Sequence, residues 1–475
     1  MAEVLVLGGA VCGLATAMML ARDGHDVTVL ERDAADVPDT VDAAWSSWER
    51  KGVPQFRQAH VLFPRFRKHL EEELPDVNEA FLANGVNQLS FLGIMPPMIT
   101  DRSPRPGDDK LVSLCARRPF MDWAVTHAAR DVPRLTIRRG VQVTELVTGT
   151  SAVDSVPHVV GVRTAGGEEL GADLVVDAMG RRSKTVEWIG GLGGPPPYEE
   201  AEEPGFTYYS RYFRGDALPQ YMGPVGMELG TITVLTFWCD NGTWGMVLNT
   251  SSGDQPLKQL RKNDVWMSVM RSCPLQAHWA DGEPITDVMP MSGQMDKYRR
   301  FVVDGKPVVT GLLAVADAWA CTNPSAGRGL SVGLGHAVAL RDTVRKHLGS
   351  PVELAHAFDA VTEEEFKPFY YDQVQADRAR VAAMDANREG REPPPPKGEY
   401  AQRRVDLFAG VPLDPDIFRS AMSWLSCLVR PDKILWDEEL LERSRKVAED
   451  AGVGAGPPMQ MPGPTREQLL EIVGG

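Results

Sequence analysis

Cysteine is scarce in this 475-residue chain: Cys12, Cys115, Cys239, Cys273, Cys321 and Cys427 stand apart, with no Cys-x-x-Cys pair and no histidines beside them. That pattern excludes a zinc finger or a disulfide scaffold, offers no metal ligands, and points to reduced thiols in a cytoplasm. Positive charge is also short, with 50 Lys and Arg against 65 Asp and Glu, a net charge of -15 and no basic run. Such a surface repels phosphate backbones, so nucleic acid is excluded as a partner. One charge-free stretch, Val4 to Ala21, is long enough to be weighed as a membrane span or signal core. No basic residue precedes it, glycines fall at 8, 9 and 13, and its β-branched start changes to an Ala/Met helical pattern halfway. It therefore reads as a strand followed by a helix, with no membrane span. No Ser-His-Asp order, HExxH motif, P-loop or internal repeat is found, and no catalytic base stands out.

What is present is a globular composition, 43% hydrophobic with 45 Gly and 36 Pro, enough for two or three packed units with many turns. Glu3 to Leu7 suits a buried parallel strand, Gly13 to Asp23 a small-residue helix, and Asp26 to Leu30 a second strand ending at Glu31. Between the first strand and the helix stands GGAVCG. Read as GxGxxG, it keeps Gly8 and Gly13 and puts Ala10 at the middle position. Helix-start amides there would hold a pyrophosphate, and Glu31, with Arg32 beside it, would meet an adenosine ribose. A tight turn without a ligand is the plainer alternative.

The segment VLVLGGAVCGLATAMMLARDGHDVTVLERD resembles the opening of FAD-dependent monooxygenases of the p-hydroxybenzoate hydroxylase type, and two later segments match in the same order, so the resemblance spans residues 1 to about 345. Gly311 to Ala337 (GLLAVADAWACTNPSAGRGLSVGLGHA) resembles the family's second FAD motif, with Ala316 in place of a glycine. The resemblance implies that Asp317 bonds the ribityl chain and that Pro324 lies beside the flavin ring. It also implies that the amides of Gly327, Arg328, Gly329 and Leu330 face the flavin N1 and C2 carbonyl, where a positive helix end stabilises reduced flavin. The middle motif, ADLVVDAMGRRS, puts Met179 where the family has aspartate. Asp177 is then a candidate turn cap, and Arg181 and Arg182 are either phosphate ligands or a solvated pair. That divergence leaves the electron source open between NAD(P)H and reduced flavin from a partner reductase. RKGVPQFRQAHVLFPR and ARRPFMDWAV resemble a subgroup that includes actinobacterial polyketide and polyether epoxidases. By that likeness Arg118 contacts FAD, and Arg57 and His60 are candidates, with Pro324, for the catalytic side. Read alone, Arg118 is a helix-start residue and His60 a structural histidine.

Gly205 to Gly215 and Thr231 to Thr250, rich in aromatic and β-branched residues around an Asp240-Asn241-Gly242 turn, read as antiparallel strands. In the resembled family such a sheet walls the substrate cavity. Tyr209, Arg211, Tyr212, Phe213, Trp238, Trp244 and Met246 are therefore pocket candidates as a group, of which alternation lets only about half face inward. A helical stretch, a stiff Pro393 to Pro396 linker, further helices and a Gly/Pro-rich tail follow, the tail placed as a cavity cover or dimer contact. The expected fold class is α/β: a Rossmann-like FAD-binding domain (1-190 and 300-345), an antiparallel substrate domain (191-299, with 76-110 contributing) and a helical C-terminal region (346-475). The expected function is oxygen insertion into an apolar or aromatic small molecule, by hydroxylation or epoxidation in secondary metabolism, with O2 as co-substrate. The alternatives are a saturase-like FAD-dependent reductase or dehydrogenase and a non-catalytic FAD-binding protein; flavin halogenases rank lower because no WxWxIP-like segment is found.

Overall fold

The structure, a computed structural model, describes residues 1–151, 153–452 and 461–474, so the Gly/Pro-rich part of the tail at 453–460 lies outside the described residues. The chain begins with strand β1 (Glu3–Leu7), helix α1 (Val11–Arg22), β2 (Asp26–Glu31), α2 (Arg118–Arg130), β3 (Leu135–Arg139) and β4 (Leu174–Asp177). It continues through β5 (Phe206–Arg214), β6 (Gly226–Leu229), β7 (Ile232–Trp238), β8 (Thr243–Ser251), helix α3 (Asn263–Arg271) and β9 (Met289–Ser292). It then returns through β10 (Asp296–Arg300), β11 (Leu312–Ala314) and α4 (Gly329–His347). Helices α5 (Lys367–Arg388), α6 (Gly398–Gly410), α7 (Pro415–Leu425), α8 (Glu438–Asp450) and α9 (Arg466–Gly474) complete it.

Strands β11, β4, β1, β2 and β3 form a wholly parallel sheet in that order, with Val6 opposite Val29 and Val175 opposite Leu312. Val4 and Val6 face the core shared with α1, α2 and α4, whereas Leu5 and Leu7 face a small antiparallel sheet built from residues 143–171. Apolar side chains on both faces of β1 are what a buried parallel strand requires. The turn after β1 admits only glycine at two places. Gly8 has φ +108, and a Cβ there would stand 2.6 Å from the Ala178 carbonyl oxygen. A Cβ on Gly13 would stand 2.0 Å from the Gly8 carbonyl oxygen, so its absence sets how closely α1 follows the strand.

The second sheet is antiparallel, ordered β6-β7-β8-β5, with β9 and the short strand Glu283–Pro284 on the far edge of β5. Both faces of β5 are buried. Phe206, Tyr208 and Tyr212 join Phe237 and Val247 on the side that meets Trp45, Ala59 and Val61 of the first unit. Tyr209 and Phe213 join Trp244, Met246 and Trp266 on the other side, under α3 and α9. Arg117 ties the two sheets together, its backbone N–H and guanidinium both donating to the buried carboxylate of Asp240 in the β7-β8 turn.

The C-terminal segment is helical as expected, but its members disperse. Helix α5 packs Phe369, Tyr370 and Val374 into the first unit, Phe369 under Arg65 and the other two beside Tyr298 and Trp319. Helices α6 to α8 gather around Leu407, Trp424 and Leu441. The terminal helix α9 covers the outer face of the antiparallel sheet, with Arg466 ion-paired to Asp254 at 2.7 Å, so it is not placed over the inner wall. No helix among the described residues is long and apolar enough to cross a membrane.

Ala316 holds a left-handed backbone, φ +55, at the position where the resembled motif has glycine. Side chains in that region cost about 1 kcal/mol. Ala316→Gly is therefore expected to raise unfolding stability by about 0.5–1 kcal/mol, read from the urea midpoint. An unchanged midpoint would mean that the methyl packing offsets the strain.

Candidate functional site

Three helix starts, those of α1, α2 and α4, come together near the carboxyl ends of the parallel strands, α1 following the central strand β1. None has a side-chain cap or an acidic residue in its first turn, so the leading amides of α1 and α4 are left for something negative, while α2 has Pro119 in its first turn and gives its N-cap amide to Asp240. Ala10, at the α1 N-cap, is extended, with φ -94 and ψ -179, a conformation that any side chain adopts, so alanine keeps the turn geometry there.

Beside α1 runs a buried chain of charge. Glu31 Oε2 accepts from the Gly9 N–H at 2.9 Å and from Arg50, and Oε1 accepts from the Asp33 N–H at 2.9 Å. Arg50 Nη1 reaches Asp122 Oδ1 at 2.7 Å, and Asp122 Oδ2 accepts from Arg118. Glu31 is thus not the free carboxylate expected from the sequence. Burial at 4% exposure requires partners for its charge, which leaves about one of roughly four acceptor positions for a hydroxyl. Arg32 is exposed and reaches only the Lys51 carbonyl, at 3.4 Å, so its side chain does not join the turn. Arg118 is buried and points inward, which removes the surface alternative. Next to Glu31 in the β2-β3 register stands Arg139, whose two terminal nitrogens are buried without a hydrogen-bond partner among the described residues. It lines a cavity of about 260 Å3 with Asp36, Thr126 and Arg130.

On the other side of α1, Asp317 sits recessed with no hydrogen bond to its carboxylate among the described residues. Burial pushes its pKa up, while Arg181, Arg118 and Arg299 pull it back. Burial and Asp317 push the Cys12 thiol up to about 12, which keeps it protonated and unreactive. Gly327 turns the chain with φ +68 into α4 after the Pro324–Ala326 turn. Gly329 is the exposed first residue of the helix, Leu330 packs on the main core, and a Cβ on Gly329 would stand 3.9 Å from Asp317 Oδ1. Only the backbone of Arg328 serves this corner, since its side chain turns to the C-terminal helices and pairs with Asp372, which also holds Arg404. Asp177 does cap the middle turn: Oδ1 accepts from the Met179 N–H at 2.9 Å, and Oδ2 from the hydroxyls of Ser183 and Thr185. Arg181 is no phosphate ligand in this arrangement; its guanidinium donates to the carbonyls of Met295 and Thr322.

Arg57 and His60 both have structural partners. The Arg57 guanidinium donates to the Trp45 and Trp48 carbonyls and lies 4.9 Å from the Trp45 ring centre, so it holds its own loop. His60 Nδ1 donates to the Gln58 carbonyl at 2.9 Å and Nε2 faces Arg118 Nη1 at 3.4 Å; burial, then the Arg118 cation, pushes its pKa down to about 3.

Of the seven pocket candidates, the structure places only Tyr212 on the inner wall, edge-on to Trp45 at 5.2 Å. Tyr209, Phe213, Trp244 and Met246 form the outer core, and Trp238 packs beside them with its indole N–H on the Pro219 carbonyl. Arg211 lines an open groove of about 490 Å3 on that outer face with Asn263, Asp264 and Met267. The physical reason is the two-residue alternation of a strand, which puts odd and even positions on opposite faces. The inner wall that sequence reasoning missed is the even set: Tyr208, whose hydroxyl donates to Asn323 Oδ1 at 2.7 Å, and Ser210, whose hydroxyl donates to Gln58 Oε1 at 2.9 Å. Alternation along Phe206–Arg214 groups these residues, but only the packing of α3 and α9 shows which group is outside.

No family model matches the chain. A Mycobacterium tuberculosis protein, Rv3254, is 24% identical over 355 residues, 70% of each chain. Among solved structures, PqsL, a probable FAD-dependent monooxygenase from Pseudomonas aeruginosa, superposes with TM-score 0.59 at 15% identity, over 82% of this chain and 98% of its own. The flavin-dependent brominase Bmp2 gives 0.63 at 11% identity over 95% and 99%. The Diels-Alderase PyrE3, of pyrroindomycin biosynthesis, gives 0.59 at 15% identity over 90% and 80%. At these identities the likeness establishes the fold: the α/β arrangement of FAD-binding hydroxylases, with parallel and antiparallel sheets and a helical C-terminal region.

Two outcomes follow from the buried charges. Asp122→Ala strands the Arg118 cation, leaves Arg50 to Glu31 and Asp33, and is expected to cost about 3–5 kcal/mol of stability in urea unfolding. The His60 ring stays neutral when folded down to about 3, whereas the unfolded ring gains a proton below about 6.5, so stability is lost progressively as pH falls from about 6.5 toward the folded value. Its ring-proton NMR signal, assigned with His60→Gln, should not move between about pH 8 and pH 5.

Proposed function

We propose that the protein binds FAD across these three helix starts and is an FAD-dependent monooxygenase acting on an apolar or aromatic small molecule. The observation that carries this is Asp317: a recessed carboxylate with no hydrogen-bond partner among the described residues, set between the uncapped starts of α1 and α4, suits the hydroxyls of a ribityl chain. The donor set elsewhere fits the same molecule. Free amides at α1 suit a pyrophosphate, and the unpartnered Arg139 with its 260 Å3 cavity suits the adenosine end. Left-handed Ala316 and the Asp177 cap keep the backbone geometry that the altered motif positions put in question, which supports a working site over a vestigial one.

Bound FAD supplies the electron transfer and oxygen activation that no side chain here can perform. The chain's own work is placement and exclusion. Glu31 would meet the adenosine ribose and Asp317 the ribityl chain, and Arg118, fixed by Asp122, would set the charge beside the cofactor. Tyr208, Ser210, Tyr212 and Phe237 of the antiparallel sheet wall off water and orient an apolar substrate. Hydroxylation and epoxidation suit this wall equally, and a role in secondary metabolism accords with the resembled subgroup. With Met179 at the nicotinamide-linked turn, reduced flavin from a partner reductase serves better than NAD(P)H, so NADPH alone should bleach bound flavin slowly.

Purified protein should retain FAD, and Asp317→Ala is expected to weaken FAD binding about 10- to 100-fold, the worth of a charge-assisted hydrogen bond, read by flavin fluorescence. Turnover of aromatic substrates with reduced flavin and isotopically labelled O2 should place one labelled oxygen atom in the product. Anaerobic turnover to a reduced product would instead identify a reductase.

A further inference from the structure

Behind the Pro324 turn the structure buries two carboxyl groups that neither the motifs nor the proposed chemistry use, Asp296 at the start of β10 and Asp377 on α5. Asn323 lies between them. Its backbone N–H donates to Asp296 Oδ1, and its side-chain Nδ2 donates to Asp377 Oδ2 at 3.2 Å. We propose that Asp296 and Asp377 form a buried pair that holds one proton, and that this proton keeps the Asn323–Ser325 turn seated. The link from that turn to flavin rests on the function proposed above; the pair itself does not.

Hydrogen bonding identifies which partner carries the proton. Asp377 accepts three donors: the Ser325 hydroxyl on Oδ1 at 2.6 Å, and the Gln373 and Asn323 amides on Oδ2 at 2.8 and 3.2 Å. Burial pushes Asp377 up, but these three donors and Arg380 favour its charged form. Asp296 is fully buried, accepts one backbone N–H, and leaves Oδ2 buried with no partner among the described residues. A charged oxygen left bare in the interior is far costlier than a neutral hydroxyl, so Oδ2 carries the proton.

The surroundings favour the neutral form. Asp377 and Tyr370 face Asp296 from α5, Glu202 from the strand paired with β10, and Tyr208 from β5. Arg181 is the facing cation, but its guanidinium is bound to the Met295 and Thr322 carbonyls, the neighbours of Asp296 and Asn323. Arg380 faces Asp377. Burial pushes Asp296 up to about 7, against the smaller pull of Arg181. For an acid raised when folded, the stabilisation is complete below the ordinary carboxylate range and is lost as pH rises through the folded value. Above about 7, two buried anions would share one asparagine, and the turn they clamp loosens. Tyr208 hangs on the same asparagine, so the inner wall of the antiparallel sheet senses the same proton.

The test uses the full chain without added flavin. The infrared difference between wild type and Asp296→Asn at about pH 6 should contain a protonated-carboxyl stretch that is gone by about pH 8.5. In hydrogen exchange corrected for the intrinsic pH effect, residues 322–327 of the wild type should speed up about tenfold from pH 6 to pH 8, while Asp296→Asn stays flat. Asp377→Asn, which removes the neighbouring charge, should move the wild-type midpoint to lower pH; an unmoved midpoint would mean that the two carboxyls are not a pair. No infrared band, or identical exchange in wild type and Asp296→Asn, would overturn the proposal. A protein that binds no FAD yet shows the band would remove the proposed function and keep the pair.

Discussion

Asp122 is the constraint on which the rest of this site depends. It is fully buried, holds Arg50 with one oxygen and Arg118 with the other, and through Arg50 reaches Glu31 and the Gly9 amide at the turn. Two cations and two carboxylates in an apolar setting are tolerable only as a closed set, because each alone would carry an unpaid desolvation penalty of several kcal/mol. The set spans the distance from the β2 end to the start of α2, so it fixes three separate chain segments against one another. Arg118, held in this set, adds to the burial that keeps the His60 ring neutral.

The altered motif positions show how a fold keeps a geometry while losing the residue that usually makes it. Ala316 adopts the left-handed backbone that glycine would take at no cost, and a buried histidine, His336, supports its amide at 3.2 Å. Asp177 caps the turn from two residues before the usual aspartate, with Ser183 and Thr185 completing it. Both cases replace a local preference with tertiary support, which a sequence pattern registers only as a mismatch. The same logic applies to the Pro324 turn, where Asn323 is secured by side chains 27 and 54 residues away.

The strand-turn-helix unit around Gly8 and Gly13, the parallel sheet, the antiparallel sheet and the helical C-terminal segment were all legible because each rests on local pattern: apolar runs, small-residue helices, turn glycines and strand alternation. Asp317 was singled out only through the resemblance of Gly311 to Ala337 to a known FAD motif, and the structure leaves it recessed without a hydrogen bond among the described residues. Arg50, Asp122, Asp296, Asp377 and Asn323 were not, since ordinary polar residues scattered over 300 positions announce nothing until the chain brings them together. Arg57 and Arg181 misled because an arginine near a motif has several places to point, and backbone carbonyls, of its own loop for Arg57 and of distant segments for Arg181, claimed both.

By itself, then, the sequence determined the α/β class and the order of its units, because hydrophobic period and glycine placement act over a few residues at a time. It also determined that odd and even positions of β5 would part company. Only the tertiary structure decided that Tyr208, Ser210 and Tyr212 face inward while Tyr209, Arg211 and Phe213 face α3, since which face of a two-sided apolar strand is inner depends on what packs against it. It alone decided the charge chain through Asp122 and the carboxyl pair at Asn323, because burial turns an ordinary acid into one that needs a partner or a proton, and burial is a property of the whole fold.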